Sequence, residues 1–146
     1  MTSRLLALID RFRRARVVVV GDVVADEFIY GRLSRVSREA PVLILEYDTT
    51  EIVPGGAGNA ASNVAALGGR VTLAGAAGRD AAGDRLVTAL RERGVRLDLA
   101  RPSAMATPVK TRILAGGVHS VKQQIVRIDR QGSGASARGR PSAPAS

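Results

Sequence analysis

Nine residues set the frame for the rest of the chain: Gly55-Gly56-Ala57-Gly58-Asn59-Ala60-Ala61-Ser62-Asn63. Clustered glycines, an asparagine and an alanine-rich run predict a loop that opens directly onto a helix. Glycine lets the backbone take positive φ and lets a ligand approach with no Cβ in the way. The first turn of the helix offers free N–H groups and the partly positive end of its dipole. A polar, oxygen-rich ligand such as a sugar suits that place, and Asn59 adds both a donor and an acceptor.

The hydrophobic pattern around this stretch alternates between helix and strand periods. Residues 3–15 read as a helix with Leu5, Leu6, Leu8, Ile9 and Phe12 on one stripe and arginines opposite. Val17–Val20 reads as a fully buried strand ended by Gly21. Phe28–Leu33 and Val42–Tyr47 are short β-prone segments expected to pair in a small secondary sheet. A helix is expected over Ala57–Leu67, stopped by Gly68-Gly69, then a strand over Val71–Ala74. A second helix follows over Ala82–Arg93, stopped by Gly94, and a strand over Val95–Leu99. Val109–Leu114 and Val121–Ile128 flank Gly116–Ser120 and read as a hairpin. This order predicts an α/β layered core with a parallel sheet covered on both faces. Residues 131–146 contain no large apolar side chain, so a disordered tail is expected there, after one folded unit over 1–130.

Composition removes several classes. At 146 residues the chain is one domain or part of one. It has no cysteine, hence no disulfide framework and no thiolate metal site. No apolar run approaches the roughly 18 residues that span a bilayer. The N-terminal segment is charged and lacks an apolar signal core, so a cytoplasmic location without a membrane partner is expected. The net charge of +9 sits largely at the ends, +4 in residues 1–16 and +2 in 131–146. Aromatics make up 3%, too few for stacking on bases, so nucleic acid is not an expected partner. Gly56-x-Gly58-x-x-Ala61 formally fits a dinucleotide fingerprint. That fingerprint follows the first strand directly, whereas here Gly21 lies far upstream and Pro54 precedes the loop.

Several short motifs then occur in order. They are Gly21-Asp22 with Asp26, Tyr30-Gly31, Arg35-x-Ser37-x-Glu39-Ala40-Pro41-Val42, Pro54-Gly55-Gly56-Ala57 and Gly78-x-Asp80-x-x-Gly83. With these motifs the chain resembles the N-terminal half of ribokinase-like (PfkB) carbohydrate kinases over Arg16–Asp129, and within them the bacterial heptose-7-phosphate kinase branch. The resemblance implies a ribokinase-like layered α/β core with a small β-sheet lid, present here as its N-terminal half. It implies ATP-dependent phosphorylation of a sugar or sugar phosphate, with Mg2+. By resemblance Asp26, Gly55, Gly56 and Asn59 hold the sugar. Lys110 and Arg112, which alternate along one β-prone segment, and Arg127 on its partner serve the lid and a substrate phosphate. The small lid-type sheet could also pair edge to edge with another copy, giving a homodimer as an expected partner state.

In that family the C-terminal half carries the nucleotide pocket and a Gly-Ala-Gly-Asp motif whose aspartate is the catalytic base. No such motif occurs here. The resemblance therefore assigns no catalytic or metal residue to this chain, and ATP and Mg2+ are expected in full-length relatives rather than on this chain alone. A truncated or frameshifted, catalytically weak kinase is the expectation. A non-catalytic sugar-phosphate-binding or assembly module is the alternative. Ala81-Ala82-Gly83-Asp84 is no substitute for the missing motif, because Asp80 or Asp84 is expected to serve the first turn of a helix. His119, the one histidine, is expected in a turn with no catalytic role.

Overall fold

The computed structural model describes residues 2–116 and 121–132. His119 and its turn, and residues 133–146 of the expected tail, lie outside them. The chain begins with helix α1 (Thr2–Arg11) and a 3-10 turn (Phe12–Arg14), shorter than the single helix over 3–15 that its stripe predicts. Strand β1 (Arg16–Val20), β4 (Arg70–Ala76) and β5 (Arg96–Ala100) form a parallel sheet in the order β1-β4-β5. Helices α2 (Ala57–Ala66) and α3 (Ala81–Glu92) connect its strands and supply Ala61, Leu86 and Leu90 to the core.

The second sheet is larger than the sequence suggests. Strands β2 (Val23–Val36) and β3 (Leu43–Gly56) are long antiparallel partners, where only two short segments are expected. Strands β6 (Val109–Gly116) and β7 (Gln123–Arg130) form the expected hairpin. Parallel pairing of β2 with β6 joins both pairs into one sheet, ordered β3-β2-β6-β7. Val23, Ala25, Ile52 and Val109 of this sheet pack in the same core as Val71 and Leu73 of the first. One hydrophobic cluster therefore holds both sheets to the two helices.

One expectation needs correction. The run Val17–Val20 is not buried on both sides: Val17 and Val19 turn toward the helices, while Val18 and Val20 are 67% and 77% exposed. Side chains alternate across a strand, and α2 and α3 cover a single face of this sheet. On the open face Val18 pairs with Thr72, and Val20 with Ala74.

Helix α3 is started by Asp80, whose Oδ1 accepts the Gly83 N–H at 2.8 Å. Burial pushes the Asp80 carboxyl up, but hydrogen bonds from Thr107 and Gly83 and the nearby Arg101 charge outweigh it and hold it below the usual value. A depressed carboxylate adds stability above its unfolded pKa of about 3.9 and loses it as pH falls through the folded value.

Two predictions follow from this packing. Leu73, fully buried, should cost roughly 2–5 kcal/mol when cut to alanine. Val18→Ser on the open face should stay within about 0.5 kcal/mol. Urea unfolding of both variants checks the contrast, and equal losses would mean that Val18 is covered. For Asp80→Asn, stability measured against pH should be lower at neutral pH and flatter than wild type below about pH 4.

Candidate functional site

Strand alternation brings the charged residues singled out above onto one face of the four-stranded sheet. On β2 that face carries Asp26, Phe28 and Tyr30. In register beside them, Lys110 of β6 lies next to Asp26 and Arg112 next to Phe28. Across β6, Asp129 of β7 pairs with Lys110 and Arg127 with Arg112. Asp26, Lys110, Arg112 and Arg127 thus form a single cluster, although up to a hundred residues separate them in the chain.

The contacts give each charge a different standing. Arg112 donates to Asp26 Oδ1 at 2.5 Å, with both side chains 24% exposed, a charge-assisted bond. The same guanidinium lies 5.4 Å from the Phe28 ring centre, over its face. Arg127 grips Asp129 through two bonds, Nε to Oδ1 at 2.9 Å and a terminal nitrogen to Oδ2 at 3.0 Å. Among the described residues, exposed Lys110 makes no ion pair, and Asp26 Oδ2 accepts no hydrogen bond.

Gly55, on β3, lies directly against that free oxygen. A Cβ built at Gly55 would fall 2.6 Å from Asp26 Oδ2, so only glycine leaves the carboxylate where it is. Gly56 ends β3 at φ +55°, and the chain turns straight from strand into α2 with no intervening loop. A Cβ there would meet the Asp22 carbonyl at 2.6 Å. The expected glycine loop is therefore a strand end joined to a helix start. Gly58 is buried against Pro54 and Leu90 and serves packing between α2 and its neighbours. Asn59 lies in the first turn of α2 and is not part of the Asp26 cluster. It lines a shallow cavity of about 310 Å³ with Ser62, Asn63, Ala66 and Arg93, sharing a helix face with Asn63.

Two further groups escape a reading of the sequence alone. Asp48 is the extra residue of a β-bulge opposite Tyr30 and Gly31. Lys122 Nζ reaches it at 2.6 Å while sitting 5.4 Å from the Tyr30 ring centre, and Arg32 joins at 3.1 Å. The Lys122 hydrogen bond, with the charges of Lys122 and Arg32, holds the Asp48 carboxyl below its usual range. On the opposite face, Glu27 accepts from the Thr111 hydroxyl at 2.7 Å and from Arg130 at 2.9 Å. No local signal marks these groups, because pairing across strands and not spacing along the chain assembles them.

Residues 14–133 match the family described as pfkB family carbohydrate kinase. The chain belongs to the PfkB family. It is 43% identical over 120 residues to the D-beta-D-heptose 7-phosphate kinase of Bordetella bronchiseptica, covering 82% of this chain and 37% of that protein. It is 44% identical over 119 residues to the bifunctional protein HldE of Pseudomonas entomophila, covering 82% of this chain and 24% of that one. This PfkB chain thus spans about a third or less of the length of these relatives. Among solved structures, a carbohydrate kinase from Agrobacterium tumefaciens superposes with a TM-score of 0.60 at 23% identity, over 80% of this chain and 35% of that one. Arabidopsis thaliana ribokinase, complexed with ribose and ATP, superposes with a TM-score of 0.60 at 24% identity, over 81% of this chain and 36% of that one. These likenesses show the ribokinase-like α/β fold.

No three Asp, Glu or His side chains converge among the described residues as a metal site. Helix α3, which follows parallel strand β4, has its N-terminus filled by the Asp80 carboxylate, which excludes a phosphate there. No helix among the described residues is long and apolar enough to cross a membrane.

Gly55→Ala should force the Asp26 carboxylate or strand β3 to shift, costing about 1–3 kcal/mol. Thermal unfolding measures the loss, and an unchanged midpoint would mean that the Asp26 carboxylate is free to move away.

Proposed function

We propose that this chain is the acceptor-binding part of a PfkB-type carbohydrate kinase, acting on heptose 7-phosphate or a closely similar sugar phosphate in the cytoplasm. The observation that carries this reading is Asp26. One of its oxygens is tied to Arg112, and the other stands open beside the bare main chain of Gly55. An open carboxylate oxygen accepts a sugar hydroxyl, and Arg112 fixes the direction from which it does so. Lys110, one strand away and unpaired among the described residues, supplies a positive charge for a substrate phosphate. Arg127 is already engaged by Asp129 and serves to hold the β7 edge of the face. The identity to the Bordetella heptose 7-phosphate kinase supports the choice of sugar.

In the whole kinase, ATP with Mg2+ supplies the phosphoryl group. Phosphoryl transfer depends on placing the acceptor and stabilising charge. This chain's own residues perform the placing: Asp26 orients the hydroxyl, Gly55 lets it approach, and Lys110 anchors the far end. The base motif of the family is absent from these residues. Binding without turnover is therefore the behaviour assigned to the isolated chain, which is also what a sugar-phosphate-binding module would show.

Calorimetry with heptose 7-phosphate, and with the same heptose lacking the phosphate, tests the reading. Asp26→Asn should weaken both by about tenfold or more, the worth of a hydrogen bond to a charged group. Lys110→Met should weaken only the phosphorylated sugar. No binding by the wild-type chain would overturn the acceptor-site reading. Vigorous ATP-dependent phosphorylation by the 146-residue chain would overturn the division of labour.

A further inference from the structure

Thr107 takes no part in the Asp26 face, yet three chain segments meet on its buried side chain. Its hydroxyl donates to Asp80 Oδ1 at 2.7 Å and accepts the Gly78 N–H at 3.0 Å. Its own N–H donates to Asp80 Oδ2 at 2.7 Å. Asp80 meanwhile caps α3, so the exit of β4, the start of α3 and the entry to β6 share one carboxylate–hydroxyl pair. Arg101 closes the group, donating twice to the Gly78 carbonyl, at 2.6 and 3.0 Å, and once to Asp84 at 2.6 Å. A Cβ on Gly83 would collide with the Gly78 carbonyl and lie 2.6 Å from the Thr107 hydroxyl, which accounts for the second glycine of Gly78-x-Asp80-x-x-Gly83.

This knot sits at the point where β6 is set beside β2. The next residue, Pro108, accepts the Ala25 N–H at 2.9 Å, and from there the register runs Asp26 with Lys110 and Phe28 with Arg112. The segment between β5 and Pro108 has no helix or strand of its own to fix its length. A slip of one residue would send Lys110 and Arg112 to the opposite face of the sheet. We infer that Asp80 and Thr107 are positioning residues for the substrate face. They pin the root of β6 to the helical layer, and so hold Arg112 against Asp26 and Lys110 beside it. Neither touches the substrate, and the binding consequence rests on the acceptor-site reading above.

The test compares Thr107→Val, which keeps the shape and removes the hydroxyl, with Thr107→Ser, which keeps the hydroxyl. Amide hydrogen exchange is followed in β6 (Val109–Gly116) against β4 (Arg70–Ala76) in the full chain. Thr107→Val should speed exchange in β6 by about tenfold while β4 stays protected, and should weaken heptose 7-phosphate binding by a similar factor. Thr107→Ser should restore both. Asp80→Asn, which keeps an acceptor for the cap, is the second variant and should lower protection in β6 by more than its general loss of stability lowers it in β4. Unchanged β6 protection, loss shared equally with β4, or full sugar-phosphate affinity in the loosened variant overturns the inference. If the wild-type chain binds no sugar phosphate, the acceptor reading falls, and the exchange contrast decides the anchor by itself.

Discussion

The charged face around Asp26 depends on the neck where the chain crosses between its two sheets. It crosses at Gly21–Asp22, at Gly56–Ala57 and along the segment from Arg101 to Pro108. The first two crossings are stitched together, because the Ala57 N–H donates to the Asp22 carbonyl at 3.0 Å. That bond requires Gly56 at positive φ, with its α-carbon so close to Asp22 that no side chain fits. The motif Pro54-Gly55-Gly56-Ala57 is therefore constrained twice. Gly56 makes the joint, and Gly55 keeps the space above Asp26. A glycine motif of this kind is a statement about chain geometry before it is one about a ligand.

The charges on the four-stranded sheet are placed by the same geometry. Three cations on one face repel one another unless acids are interleaved, and Asp26 and Asp129 do the interleaving. The pairs are unequal in surroundings. Arg112 and Asp26 are mostly withdrawn from water and reinforced by Phe28, whereas Arg127 and Asp129 are about half exposed and contribute little to stability. Lys110, with Glu51 across the same face on β3, makes no ion pair among the described residues. The opposite face balances Glu27 with Thr111 and Arg130 in the same way but turns toward the core at its inner end. The two faces are distinguished by which has a carboxylate oxygen and a cation left over.

Much of the fold was legible in the sequence. The helix and strand periods located α2, α3, β4, β5 and the last hairpin to within a few residues, because each has a readable apolar pattern and both helices stop at glycines. Asp80 at the start of α3 was legible because a cap acts within three residues. The long reach of β2 and β3 was not, since polar residues such as Arg32, Ser34 and Glu46 obscure the alternation on strands open to solvent. The shared side of Lys110 and Arg112 could be read from alternation alone, while Arg127 joins them through the β6–β7 register. Their meeting with Asp26 depends on the parallel β2–β6 pairing, which no local pattern encodes. Thr107 stayed hidden for the same reason, being 27 residues from its partner Asp80.

The four valines of β1 show how far pattern and packing can part. A continuous apolar strand suits a parallel sheet covered on both faces, and here the helices of the described chain cover one. Val17 and Val19 are half-buried, Val19 against the core that holds Leu73, while Val18 and Val20 stand largely exposed. The open face carries Arg16, Arg70 and Arg96 at one end, beside a cavity of about 510 Å³. Those charges oppose casual association of one open face with another, since two copies laid together would bring like charges close. Among the described residues, the packing of this sheet therefore comes from its helix-covered face.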